Sequence, residues 1–320
     1  MNRPTPPSLS AALNPEPPFN RRAFLKGGAA SLAAGALSLS RALAQDPEKD
    51  ATGPVIDTNV YLGPCPFREL PLATSPETPD SVARFADRIS EQATSAWAGS
   101  FEALLRRDYD GINDRLVRMV ASQPSATRHF QLFGAINPKV SGWRETLRRI
   151  HQDHRMRGIR LHPNYHGYTL DDPDFTALLD AAAQRDLIIQ IAVRMEDVRT
   201  QAPAAPVADV DPRPLTELLP VLPGTKIQLL NAMKSMADSL LLARLTDLGV
   251  HFDVAMLEGM CGLARIIERV PEILLCYGSY APFFYPESAS LKLLESAPEM
   301  EPRNLAAVRS HHAENLLLRG

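Results

Sequence analysis

Three short stretches of this chain gather side chains able to move protons or hold anions. The densest is Arg160-Leu161-His162-Pro163-Asn164-Tyr165-His166-Gly167-Tyr168, with two imidazoles and two phenols within nine residues. Imidazole titrates near neutrality, so His162 or His166 suits general acid-base work. Asn164 adds a carboxamide that both donates and accepts. A second stretch, Asp57-Thr58-Asn59-Val60-Tyr61, sets a carboxylate, a carboxamide and a phenol on alternate positions, and Arg68 follows in a Pro-rich segment. A third, Arg194-Met195-Glu196-Asp197-Val198-Arg199, offers Arg194 as an anion clamp and Glu196 or Asp197 as a base. Each has a plainer reading: a structural histidine, a strand residue bonded to a neighbouring loop, or a solvated salt-bridge loop.

The elements that must position these residues follow a βα rhythm. Short apolar runs at 55–62, 93–97, 129–135, 157–161, 187–193, 225–230, 250–255 and 273–277 alternate with segments of three- and four-residue apolar spacing. The helical segments are 80–91, 110–122, 141–153, 173–185, 213–220, 235–247 and 258–269, with Asp172-Pro173 as a capped helix start. Eight strands alternating with helices predict a single-domain (β/α)8 TIM barrel over 55–320. A doubly wound open sheet lacks its usual support, since no G-x-G-x-x-G or Walker loop appears. The chemistry-bearing stretches each follow a strand, on the face where such barrels keep their sites. Two long Pro-rich connections, 64–79 and 199–214, fall on that face as well.

Two motifs are more specific. Gly158-Ile159-Arg160-Leu161-His162-Pro163 and Tyr277-Gly278-Ser279-Tyr280-Ala281-Pro282 resemble the fourth-strand and eighth-strand endings of the amidohydrolase-related family of metal-dependent barrel hydrolases, the branch with decarboxylases and dicarboxylate lactonases. Leu170-Asp171-Asp172-Pro173 and Glu314-Asn315-Leu316-Leu317 fit less specifically. The family's metal is held by H-x-H after strand one, a His ending each of strands five and six, and the Asp of G-S-D. By register those positions here are Asn59 and Tyr61, Ala192, Asn231, and Tyr280. None is a first-choice zinc ligand, so the expectation is no metal and no other cofactor. His162, His166, Glu196 and Asp197 have suitable donor types, but their spacing is no known metal motif.

The resemblance then implies a hydrolase acting without the usual metal on an ester, lactone or amide of a small, anionic substrate. In that reading His162, Tyr280, Asn231, Asn59 and Asp57 handle protons and the developing oxyanion or support the site. Arg160, Arg194, Tyr61, Asn164, His166, Arg68 and Glu196 hold the substrate. Some lactonases of the family work without metal, although those retain the histidines. The rival reading is a catalytically inactive barrel that binds a small-molecule ligand.

Composition narrows the partners. The chain has 320 residues, 45% hydrophobic and 22% charged, with a formal net charge of -3, so no basic field attracts nucleic acid or an anionic membrane. A homodimer stays open. Cys65, Cys261 and Cys276 are odd in number and show no metal spacing, which leaves room for at most one disulfide. No Gly-x-Ser-x-Gly elbow supports covalent hydrolysis. Asn20-Arg21-Arg22-Ala23-Phe24-Leu25-Lys26, a weakly apolar run and Ala42-Leu43-Ala44 read as a twin-arginine signal over 1–44, with a linker at 45–54. The expectation is an exported, periplasmic protein with no stable membrane span after cleavage.

Overall fold

The computed structural model describes residues 53–318 apart from Pro76 and Ala204. The twin-arginine stretch and nearly all of the linker lie outside the described residues. Eight parallel strands, β1 (Ile56–Leu62), β2 (Ser95–Ser100), β3 (Phe130–Ala135), β4 (Gly158–Leu161), β5 (Ile188–Ala192), β6 (Lys226–Leu230), β7 (His251–Asp253) and β8 (Leu275–Cys276), pair in sequence order. This is the expected (β/α)8 barrel, and every predicted strand is present. Closure between β8 and β1 runs through the chain just beyond β8: Thr58 N donates to Tyr277 O, Tyr280 N to Asn59 O and Tyr61 N to Ala281 O at 2.8–2.9 Å. Helices cover the outer face of the strands and the packed barrel interior covers the inner one, so the strands read as near-continuous apolar runs. Among the described residues no helix is long and apolar enough to cross a membrane.

The helices expected at 80, 110 and 173 start within a residue of those positions, whereas those expected at 235 and 258 start four residues later, at Ser239 and Gly262. Asp172 caps the helix Pro173–Ala183 by accepting from Asp174 N, and Pro173 fills the first turn, where its missing N–H costs nothing. The segment Trp143–Asp153 is one helix whose second half widens to π geometry. Short helical turns at Phe101–Leu104 and Pro163–His166 were not foreseen, because four residues carry no readable period. All three cysteines are free thiols.

Inside the barrel the side chains stack in layers. At the bottom Ile56, Trp97, Phe133, Ile188 and Cys276 form an apolar floor. Above it lies a polar layer centred on Arg160. Its guanidinium donates to Gln190 Oε1 (2.8 Å), Val60 O (2.6 Å), Trp97 O (3.0 Å) and Thr58 O (3.3 Å). Gln190 Nε2 continues to Gln228 Oε1 at 2.8 Å, and Gln228 Nε2 to Thr58 Oγ1 at 2.7 Å. Gly99 makes room for this cation: a Cβ there would sit 2.8 Å from Arg160 Cδ.

Candidate functional site

The third layer, at the C-terminal strand ends, contains the residues at the resemblance-aligned positions. Asn59 Nδ2 donates to Asn231 Oδ1 at 2.8 Å and to Asp253 Oδ2 at 2.5 Å. Two acceptors on one nitrogen fix which way the Asn59 amide faces. Asp253 Oδ1 takes the backbone N–H of Asn231 and of Ala255 at 3.1 and 3.2 Å. Asn231 Nδ2 reaches Arg194 O at 2.8 Å. Asp57 accepts from Asn59 N and Ser279 N at 3.1 and 2.9 Å, which ties β1 to the segment after β8. Gly278 lets the two meet, because a Cβ there would stand 2.8 Å from Asp253 Cβ.

Beside this carboxamide-carboxylate knot stands an aromatic one. Tyr61 OH lies 3.0 Å from His162 Nε2, and the Tyr61 ring stacks on Phe101 and covers the Arg160 guanidinium at 4.5 Å. Tyr280 OH donates to Met195 O at 2.7 Å, and its ring stacks on Phe283. Asn59, Tyr61, Asn231, Asp253 and Tyr280 are each 0% exposed, and Asp57 and His162 each 1%, so water has no open path to them. Phe101, Leu104, Met195, Ala255 and Met256 pack around them, with Phe67, Phe283 and Phe284 outside. Ala192 belongs to that apolar cluster.

Burial sets the protonation states. It pushes the Asp253 carboxyl up to about 7 and that of Asp57 to about 6, against the donors that favour the anion. It raises the Tyr61 phenol to about 12 and holds that of Tyr280 well above the ordinary tyrosine range. It holds His162 well below the ordinary histidine range and His166 down at about 4, so both imidazoles are neutral. Asn231 and Tyr280 share a left-handed backbone, with φ of +57° and +59°. A bulky residue there is strained by about 1–3 kcal/mol, and the bonds just described hold it in place.

The other residues singled out in the sequence sit further from the centre. Arg160 is one layer below the mouth. His166 Nε2 contacts Ala103 O at 2.8 Å, and Asn164 Nδ2 donates to Ala208 O at 3.0 Å. Arg68 pairs with the buried Glu196, donates to Thr200 O and lies over the Phe283 ring. That set straps the Pro-rich 64–75 loop across the mouth. Arg194 is held bidentately by Asp209, with contacts of 2.5–3.0 Å.

An open cleft of about 370 Å³ lies beside the knot, built from the segments that follow β5 to β8. Its walls are apolar at Met256, Leu257, Phe283 and Phe284, and its rim is charged at Arg194, Asp197, Lys234 and Glu258. Lys234 bridges Glu258 at 2.6 Å and Asp197 at 3.4 Å.

The amidohydrolase family model matches residues 66–279. The chain belongs to the amidohydrolase family. Among solved structures the chain is similar to 5-carboxyvanillate decarboxylase from Sphingomonas paucimobilis, with 14% identity, TM-score 0.60, and 82% and 98% of the two chains covered. It is also similar to a dihydroxybenzoic acid decarboxylase from a Polaromonas species with bound manganese and the inhibitor 2-nitroresorcinol (13%, TM-score 0.58, 83% and 97%). A third is 2,6-dihydroxybenzoate decarboxylase from Rhizobium (11%, TM-score 0.56, 83% and 99%). At such identities the likeness is one of fold. No curated protein matches the chain.

The residues at these strand ends do not fit a divalent metal. Ala192 has no donor atom, and Asn59 Nδ2 and Asn231 Oδ1 are bonded to each other. The Tyr61 and Tyr280 phenols are held neutral, and the Asp57 and Asp253 carboxyls already accept backbone N–H groups. Among the described residues no group of three or more His, Cys, Asp or Glu is placed to hold a metal ion. Sequence reasoning missed Asp253, Phe101 and Met195. Asp253 falls within the predicted strand 250–255, observed as His251–Asp253, but no motif marks that strand and the resemblance assigns no site position to it.

Proposed function

We propose that this amidohydrolase-fold barrel binds a small molecule in the cleft beyond β5–β8 and carries out no metal-assisted reaction at its strand-end centre. One observation carries the reading: the aligned centre is a buried, mutually hydrogen-bonded knot, Asn59–Asn231–Asp253 with Tyr61–His162, walled off by apolar side chains. A general acid or base must reach the atom it protonates. His162 Nε2 and Tyr280 OH each meet a protein group instead, and His162 Nδ1, though unpartnered, is buried from the cleft. The cleft, by contrast, has the size and apolar lining of a small-ligand site. The solved relatives named for 5-carboxyvanillate and dihydroxybenzoate handle single-ring acids, and aromatic walls at Phe283 and Phe284 suit a ring of that size.

A metal-free ester, lactone or amide hydrolase is the second reading. The Tyr61–His162 contact favours it, since a neutral imidazole beside a phenol is a workable proton relay. Metal analysis of the purified mature protein, followed by an esterase and lactonase screen of wild type and His162→Ala, separates the two. The binding reading expects less than stoichiometric metal and no turnover that depends on His162. Stoichiometric zinc or manganese, or turnover abolished in the variant, would overturn it. We further propose export through the twin-arginine route, on the strength of Asn20–Lys26.

A further inference from the structure

The helix Glu287–Ser296 presents two polar side chains to the cleft, Ser288 and Lys292, one turn apart on the same face. Lys292 Nζ donates to two strand-end carbonyls after β7, Val254 O at 3.0 Å and Ala255 O. It has no carboxylate partner among the described ion pairs, whereas Arg194 is matched by Asp209, and Lys234 by Glu258 and Asp197. Two of the Lys292 N–H bonds are directed at these carbonyls, so loss of the third proton leaves a lone pair that is not tied to either carbonyl and can act as the nucleophile. The Ser288 hydroxyl is buried and has no partner, so it is a donor left over for a ligand oxygen.

We propose that Lys292 captures the carbonyl group of a small apolar or aromatic aldehyde or ketone as an imine, with Ser288 bonded to the carbonyl oxygen. The inference rests on the ligand-binding role of the cleft and adds a class of ligand and a covalent step. The Lys292 nitrogen attacks the carbonyl carbon, and the C=O π electrons move to oxygen. A proton passes from nitrogen to that oxygen, giving a carbinolamine. Loss of the hydroxyl with a second proton, as water, leaves the C=N bond. Glu258 lines the same cleft and carries protons for the second stage. Met256, Leu257, Phe283 and Phe284 keep water away from the imine and receive the apolar body of the ligand. Burial lowers the Lys292 ammonium below the usual lysine range, which raises the share of free amine.

Incubating the full chain with benzaldehyde at neutral pH, reducing with borohydride and mapping peptides by mass tests this directly. The expected product is a single adduct on Lys292, heavier by the mass of the aldehyde less one oxygen, in preference to the exposed Lys139. Ser288→Ala, which removes one hydrogen bond, should slow the labelling roughly tenfold. Labelling that follows exposure and favours Lys139 would overturn the proposal, as would an unchanged rate in Ser288→Ala. Ligand-detected NMR on unreduced samples tells the two failures apart. Benzaldehyde contacts without a Lys292 adduct remove the imine and leave the binding cleft standing. No contact at all removes both.

Discussion

The strand-end knot and the cleft beside it differ in where they leave polar groups unmatched. In the knot the amide and phenol donors find protein acceptors, Asn59 at Asn231 and Asp253, Tyr61 at His162, and Tyr280 at a backbone carbonyl, while Asn59 Oδ1 and His162 Nδ1 stay unmatched but sealed from any ligand. In the cleft the Ser288 hydroxyl has no partner, and Lys292 has carbonyls but no carboxylate among the described ion pairs. A buried polar group without a partner costs about 1–3 kcal/mol, and one that lines an open cleft is placed where a ligand can supply the bond. The knot and the polar layer beneath it therefore act as stability, and the cleft as recognition. Substitutions should sort accordingly.

The largest effect is expected at Arg160. Arg160→Met preserves length and apolar bulk but removes the donors to Val60 O, Trp97 O and Gln190 Oε1 at the middle of the barrel. Leaving those acceptors buried and unmatched should cost roughly 3–5 kcal/mol, near the upper end for single substitutions. Urea denaturation followed by circular dichroism reads it as a large fall in midpoint. A fall as small as that of a surface substitution would show that Arg160 is no structural keystone and would reopen its role as an anion clamp.

Arg160 also shows what the sequence could and could not reveal. The eight strands were legible because apolar runs between helical periods have few other meanings, and the two motifs placed β4 and the segment after β8 in register. Depth along a strand was not legible. Arg160 and His162 share parity and both point inward, but two residues along a strand is a step of about 6.6 Å, enough to drop Arg160 into the layer below. In β1 the pairing slips between Asp57 and Val60, so alternation does not carry from Asp57 through to Tyr61. Asp253, Phe101 and Met195 come from segments with no motif, and only the closed barrel brings them to the knot. Lys292 and Ser288 lie on a helix outside the predicted ones, where neither spacing nor neighbours mark a lysine that lacks a counter-ion.

A medium effect should follow pH. The Asp253 carboxyl is raised from 3.8 to about 7 in the folded chain and that of Asp57 to about 6, so the native state holds protons that the unfolded chain has released. Their contribution is full below the unfolded value and is lost as pH rises through 6 and 7. His162 and His166, both held below the ordinary 6.5, work in the opposite direction as the unfolded imidazoles lose their protons. Half of each unfolded imidazole is still protonated at about pH 6.5, so these terms flatten only above about pH 7.5 and offset most of the fall due to Asp253. Wild-type stability should therefore be nearly level between about pH 6.5 and 8. Asp253→Asn removes the falling term, so the variant should gain about 0.8 kcal/mol relative to wild type across that interval in guanidinium titrations, and an unchanged difference would place the proton elsewhere.

The smallest effect is expected in the cleft, at Lys234. Its Nζ bridges Glu258 and Asp197 at the rim, where water screens the charges and ordering two long side chains offsets the attraction. Lys234→Ala should leave the urea midpoint and its pH dependence where wild type has them, in contrast to Arg160→Met, although both substitutions remove a cation with several acceptors. The same variant removes the cation that pairs with Glu258 among the described ion pairs. If Glu258 carries protons for the imine at Lys292, benzaldehyde labelling should change in rate while stability stays fixed. A destabilised Lys234→Ala protein would place the rim in the same structural class as the knot and dissolve the contrast between them.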